Sequence, residues 1–340
     1  MKRVLRPAET VYLADAASVA GHEEHAGPLG AFYDLHGTKD DTFGMPTWEA
    51  AESEMQRMAV NLLLGRRGIR ADEVRAVFAG DLLNQCTGSS YGLLSFGMPF
   101  CGLFGACSTA AEGLALGALL CGAYGGRVVA ASSSHYCSAE RQFRFPMEYG
   151  GQRTPTAQWT VTGAGAFLPS GDASDCAPGR RIRLTEVMLG AAVDRGIRDA
   201  ANMGAAMAPA ALDTLLGYLA ESGRTPDSFS LIATGDLGRE GAALLVDFAR
   251  AAGADIRDVY RDCGLLVYDA DATDKHAGGS GCGCSAIVTA GYILDRMRAG
   301  EFSDVLLLGT GALMSPMSVQ QGQSIPGIAH LVRLTAEEDA

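Results

Sequence analysis

The chain is written twice, and that repetition limits its fold more than any other feature. Residues 77–83 read Val-Phe-Ala-Gly-Asp-Leu-Leu, and residues 232–237 read Ile-Ala-Thr-Gly-Asp-Leu. Each run follows a helical segment, roughly 48–66 and 209–222, and then a charged turn. Gly80-Asp81 and Gly235-Asp236 therefore close equivalent apolar strands. A second pairing follows at one constant offset of 177 residues. Cys107, in Gly105-Ala106-Cys107-Ser108-Thr109, matches Cys284, in Gly283-Cys284-Ser285-Ala286, and the run 127–131 matches 304–308. The spacing predicts two halves, 1–180 and 181–340, each strand–helix–strand in character and together an α/β fold.

The helices opened by the two cysteines are apolar all round. Residues 110–124 carry one charge, Glu112, with Gly113, Gly117 and Gly122, and residues 285–294 carry none. Such helices are buried on every side, and small residues let backbones approach closely. Composition agrees: 44 glycines in 340 residues, and only 19% charged side chains. Two such helices, one per half, are expected to pack together between two sheets.

Other classes are excluded. The net charge is −12, so the basic footprint that nucleic acid requires is missing. No apolar signal region follows Met1-Lys2-Arg3. The uncharged stretch 82–111 contains Asn84, Gln85 and Pro99, and the uncharged run 113–126 is short, so neither is expected to span a membrane. The nine cysteines form no CxxC, and Cys282-x-Cys284 is not a metal pattern, so no metal site is expected. Mostly buried thiols in a reducing compartment are the expectation. Dinucleotide and P-loop phosphate motifs are absent.

The candidate chemistry gathers at strand ends and helix starts. A thiol at a helix N-terminus has a lowered pKa, so Cys107 is a candidate nucleophile or anion-site residue; a small buried hydrophobe is the plainer alternative. Ser132-Ser133-Ser134-His135 ends the next strand, where ligand crevices form. His135 is a base, a carboxylate partner or a capped structural histidine. His276 precedes the glycine-rich loop into the second helix, and His330 reads equally as a core histidine. An insertion, 136–160, carries Arg141, Arg144 and Arg153 among aromatic residues. It suits a carboxylate clamp or an ion-paired cover loop.

Several motifs together resemble a known family. They are Ala79-Gly80-Asp81-Leu82-Leu83-Asn84-Gln85, Leu103-Phe104-Gly105-Ala106-Cys107-Ser108-Thr109, Ala139-Glu140-Arg141-Gln142-Phe143-Arg144 and Ala277-Gly278-Gly279-Ser280-Gly281-Cys282. Glu148-Tyr149-Gly150-Gly151-Gln152 and Ser324-Ile325-Pro326 extend the match nearly end to end. The chain resembles the thiolase and ketoacyl-synthase superfamily, and within it the stage V sporulation protein AD (SpoVAD) family. The resemblance implies a thiolase-like five-layer αβαβα fold, with two mixed sheets around central helices, and a homodimer. It implies binding of dipicolinic acid (pyridine-2,6-dicarboxylate), alone or as its calcium chelate, for uptake into the developing spore. It also implies a peripheral place at the inner spore membrane with the other SpoVA proteins, several of them integral membrane proteins.

The departures from that superfamily matter as much. The Gly-His-Pro motif of condensing thiolases is replaced by the glycine-rich run 278–284, and their Cys-x-Gly-Gly-Gly stretch is missing. A Claisen condensation needs a base and enolate-oxygen donors. The expectation is therefore a non-enzymatic binder without a cofactor, calcium entering only as the chelate. The expected ligand residues are Cys107, Ser133, Ser134, His135, Arg144, Asp194, Cys284 and His330. Asp194 is expected to meet a ring nitrogen proton, an arginine or calcium. The alternatives are residual acyl transfer by Cys107 and a pure scaffold for SpoVA membrane proteins.

Overall fold

Strand alternation sorts the apolar residues into three cores, and those cores define the layers. The computed structural model describes residues 3–143, 153–269 and 273–337. In chain order the strands are β1 (Val4–Leu5), β2 (Tyr12–Ala20), β3 (Leu35–His36), β4 (Val74–Gly80), β5 (Phe100–Gly102), β6 (Arg127–Ser134) and β7 (Trp159–Thr160). Then come β8 (Gly163–Ser170), β9 (Ile182–Met188), β10 (Leu231–Thr234), β11 (Tyr260–Asp262), β12 (Gly279–Ser280), β13 (Asp304–Ala312) and β14 (Gly327–Ala336).

Two sets of strands repeat one order. The first runs β2-β8-β6-β4-β5 and the second β9-β14-β13-β10-β11. In each set the first two pairings are antiparallel and the last two parallel. The repeat seen in sequence is thus a repeat of topology, with β4 equivalent to β10 and β6 to β13. The sets are not separate sheets. They meet edge to edge through one residue pair, Tyr12 with Arg183, so the main sheet is continuous.

Both faces of the central strands are buried, as expected for sheets covered by helices. Val128 and Ala130 of β6 join the middle core with Val305 and Leu307 of β13. Val129 and Ala131 face the opposite way, onto the outer helix Trp48–Arg67, and Leu306 and Leu308 face the outer helix Met203–Ser222. Between the two strand sets lie the helix Thr109–Tyr124 and the segment opened by Cys282–Ile287, which continues through a π-helical turn to Arg298. Outer helices, sheet, central helices, sheet and outer helices give the five layers.

The outer helices follow local rules. Thr47 caps the first by accepting the Ala50 N–H, and Gly68, at φ 64°, ends it in the left-handed conformation. The second starts at Met203 rather than near Pro209, because Asn202 caps Ala205 and Met207 is a core residue. Helices 106–124 and 203–222 are long and apolar enough to cross a membrane, but 72% and 56% of them is buried within the protein. An ion cluster around the buried carboxylate of Asp15 ties the layers together. Asp15 on β2 pairs with Arg66 and Arg67 at the end of the first outer helix and with Arg298 at the end of the central segment.

Candidate functional site

The two strand sets bring their helix starts together around one cavity of about 80 Å³. Leu82, Phe104, Ala106, Cys107, Ala139 and Phe143 line it from the first half; Ala200, Met203, Ser280, Ala312 and Met314 line it from the second. Thr160 and Glu140 complete the wall. The surface is mostly apolar, and Glu140 is its one charged residue among those described.

Cys107 forms the cavity floor. It sits in the short turn Ala106–Ser108 that leads into the helix Thr109–Tyr124. Ala106 adopts φ 50°, a conformation unfavourable for a residue with a Cβ, and this turns Cys107 into the site. Strand β13 presses on the same turn at Gly311, where a Cβ would stand 2.5 Å from the Gly105 carbonyl oxygen. Only glycine permits that approach.

The helix start does not activate the thiol. Cys107 is 5% exposed, and burial together with the adjacent Asp236 carboxyl pushes the thiol well up from its ordinary value. The sequence-based expectation of a lowered thiol pKa is corrected here: desolvation and an acidic neighbour outweigh the helix dipole. Asp236 is fully buried and accepts hydrogen bonds from Thr310 Oγ1 (2.9 Å) and from the Gly281 N–H (2.9 Å). Burial raises its carboxyl to about 8.

Its repeat partner behaves differently. Asp81 accepts from the N–H groups of Leu83 and Ser89 and from Ser89 Oγ, all within its own half. Beside it, Glu52 accepts from Ser133 Oγ (3.2 Å) and Ser138 Oγ (2.7 Å), and burial with the Asp81 charge raises it to about 8. The two repeat positions have thus diverged: one aspartate ties down a loop, and the other faces the cavity thiol.

Of the residues expected to converge on a ligand, Cys107 alone lines this cavity among those described. Ser133 is committed to Glu52 and Gln56, and Ser134 donates to the Val161 carbonyl and accepts from the Gly283 N–H. His135 bridges the Asp41 carbonyl and the Cys137 N–H, which makes it a capped structural histidine, held neutral by burial. Cys284 is fully buried in the middle core, its thiol directed at the Gly235 carbonyl. His330 accepts the Gly190 N–H through Nδ1, and burial lowers it to about 4. Asp194 lies on the surface, bonded to Ser324 Oγ and the Gly196 N–H. Arg144 lies outside the described residues. His276 pairs with Asp274, and Arg153 stacks over Trp159.

Sequence reasoning missed Asp236, Thr160, Ser280 and Glu140 as site residues. Asp236 was visible as a marker of the repeat, but nothing local in the sequence distinguishes it from Asp81. Ser280 sits inside the glycine-rich loop that approaches the helix starts. Among the described residues no group of three His, Cys, Asp or Glu side chains can hold a metal ion. The arrangement can enclose a small, mainly apolar group and offer it two hydroxyls and a carboxylate. Among the described residues no histidine lines the cavity beside Cys107.

Comparison with known proteins agrees with this geometry. Among solved structures, the acyltransferase ChlB3 is 15% identical, with 96% of this chain and 98% of that one covered at a TM-score of 0.58. Cerulenin-bound OleA of Xanthomonas campestris is 13% identical, covering 96% and 99% at 0.59. The 3-oxoacyl-(acyl carrier protein) synthase III FabH of Xanthomonas oryzae is 14% identical, covering 95% and 99% at 0.56. At these identities the likeness shows the thiolase-like fold. Stage V sporulation protein AD of Bacillus subtilis is 41% identical over 322 residues, which is 94% of this chain and 93% of that protein. The family model for stage V sporulation protein AD matches residues 2–335. The chain therefore belongs to the stage V sporulation protein AD family, a thiolase-like family with a role in sporulation.

Proposed function

We propose that this protein binds dipicolinic acid without catalysing a reaction, and that it serves uptake of that ligand into the developing spore. The observation that carries the reading is the state of the cavity floor: the site of a thiolase-like nucleophile survives, but its thiol stands beside a buried acid instead of a base. Among the described residues lining the cavity there is no histidine to form the carbanion, and Glu140 is the one carboxylate there.

Electrostatics favour the calcium chelate over the free dianion. An apolar wall with one carboxylate repels a doubly negative ligand, and the chain's −12 charge opposes its approach. The chelate is neutral, and calcium takes additional oxygen ligands, so Glu140, Thr160 and Ser280 suit its open positions. A cavity of about 80 Å³ is smaller than the roughly 150 Å³ that holds benzene, so Phe143, Met203 and Met314 must swing aside on binding. Calorimetry with dipicolinate, with and without calcium, tests this. Saturable binding that strengthens with calcium and is lost when Ala312→Trp fills the cavity is the expected result. No binding in either condition overturns the reading.

The acyl-transfer alternative rests on Cys107 lining the cavity. Acyl-CoA donors then leave a covalent adduct on wild type that Cys107→Ala abolishes, visible by intact mass. The reading further includes a peripheral place at the inner spore membrane beside the other SpoVA proteins, and a homodimer. Strand β5 supports the dimer: Phe100, Cys101 and Gly102 are all exposed, and the strand pairs only with β4 among the described strands. The stretch 82–111 has no charged side chain, so two copies of an acidic chain meet there without repulsion.

A further inference from the structure

One wall of the cavity is built from chain with no buried residue along its length. None of residues 189–203 is buried and none of 313–324, yet they supply Ala200, Met203 and Met314 to the lining. The facing wall is fixed: Leu82, Cys107, Ala139, Thr160 and Ser280 are all buried. Segments with few buried contacts are the parts of a fold that open first. The cavity, at about 80 Å³, is smaller than the roughly 150 Å³ that holds benzene, so a wall must open to admit a ring.

The two stretches meet each other along a seam. At its base Val193 and Gly327 exchange both backbone hydrogen bonds, each 2.8 Å long. Beyond that base two hydrogen bonds join the stretches among the described residues. The Ile325 N–H donates to the Ile197 carbonyl oxygen (2.7 Å), and Ser324 Oγ donates to the exposed Asp194 carboxylate (2.5 Å). Each stretch is otherwise held by its own turns. The Leu313 N–H donates to the Pro326 carbonyl oxygen (2.8 Å) and closes 313–326 into a compact loop, in which Ser315 caps the helix Pro316–Gln320. In the strap 194–202, the Asp194 carboxylate accepts the Gly196 N–H and that of Asp199 accepts the Ala201 N–H. Asn202 then caps the outer helix. Parting the seam thus breaks two hydrogen bonds at the surface, where water replaces them. We propose that the strap 194–202 is a hinged leaf, clasped to the loop 313–326 by Asp194 and Ser324, and that ligand enters when this clasp opens. Val193 with Gly327 and the Asn202 cap are the two hinges, and opening draws Ala200 and Met203 away from Met314. The leaf deepens the binding reading and takes its ligand from it, but its motion is a property of the fold alone.

Alkylation by N-ethylmaleimide, which is bulkier than benzene and so excluded from the closed cavity, tests the clasp without any ligand. Peptide mass spectrometry follows each cysteine at one fixed pH in wild type, Asp194→Ala, Ser324→Ala and the double variant. Cys107 reports opening, and buried Cys282 and Cys284 report on the integrity of the fold. Cys107 alone is expected to react about three- to tenfold faster in each single variant. The double variant is expected to be no faster than the faster single one, because both substitutions remove the same bond. An unchanged Cys107 rate in both single variants overturns the clasp, as does a Cys107 that stays unreactive in all four proteins. Factors that multiply in the double variant also overturn it, and so does a rise shared by Cys282 and Cys284, which marks a loosened fold. Stopped-flow mixing with dipicolinate and calcium is expected to show the same factor in the association rate, since the open fraction sets entry. Failure of dipicolinate to bind overturns the binding reading and not the clasp, which the alkylation rates decide.

Discussion

At the residue scale the protein carries buried acids that burial keeps protonated. Glu52 and Asp236 are both raised to about 8 in the folded protein, far above ordinary carboxyl values. The unfolded chain ionises them above about pH 4, so their contribution is complete below that pH and is lost as pH rises toward 8. Thermal melts are expected to show stability falling between about pH 6 and 8.5, by a few kcal/mol at ~1.4 kcal/mol per unit per group. Glu52→Gln is expected to flatten that slope, and a slope unchanged by the substitution rules Glu52 out as its source. His330 acts in the opposite direction. Its value of about 4 lies below that of a free histidine, so its share is present above about pH 6.5 and is lost as pH falls toward 4. None of this was legible in the sequence, because the sign of a thiol's shift depends on what covers it. Cys107 was legible as a site residue; its protonated state required Asp236, which lies 129 positions away.

At the element scale, glycine sets how closely helix and sheet pack. Residues 282–287 lie against β8 so tightly that a Cβ on Gly165 would stand 2.7 Å from the Ala286 Cβ and 2.9 Å from its carbonyl oxygen. Gly165→Ala is expected to destabilise the fold by about 1–3 kcal/mol, since backbone rather than a mobile side chain must move. Urea unfolding measures this, and a midpoint equal to wild type refutes it. The glycine excess and the charge-free helices announced this packing in the sequence, and the uncharged runs after Cys107 and Cys284 placed both central helices. Pro209 misled the reading of the second outer helix, because a proline normally marks a first turn. Here the Asn202 cap, seven residues before the expected start, begins the helix instead.

At the scale of the whole molecule, duplication is the legible part and convergence the illegible part. Two offsets in the sequence were enough to expect equivalent strands, and the observed strand order repeats accordingly. Which side chains reach the shared cavity was not legible, because residues between 82 and 314 meet only after both sets have folded. The dimer reading belongs at this scale too. Light scattering is expected to give twice the chain mass of 35.4 kDa, and Phe100→Asp, which puts a charge on each side of the twofold axis, is expected to give monomers. A monomeric wild type refutes the β5 interface. Strand β14 follows both β9 and β13 in the chain, yet it lies between them in the interior of the sheet. During synthesis the second half therefore waits with two strand edges open until those residues leave the ribosome. A message cut short just before them yields a second half that cannot close, and the quality-control proteases of the cell are its expected fate.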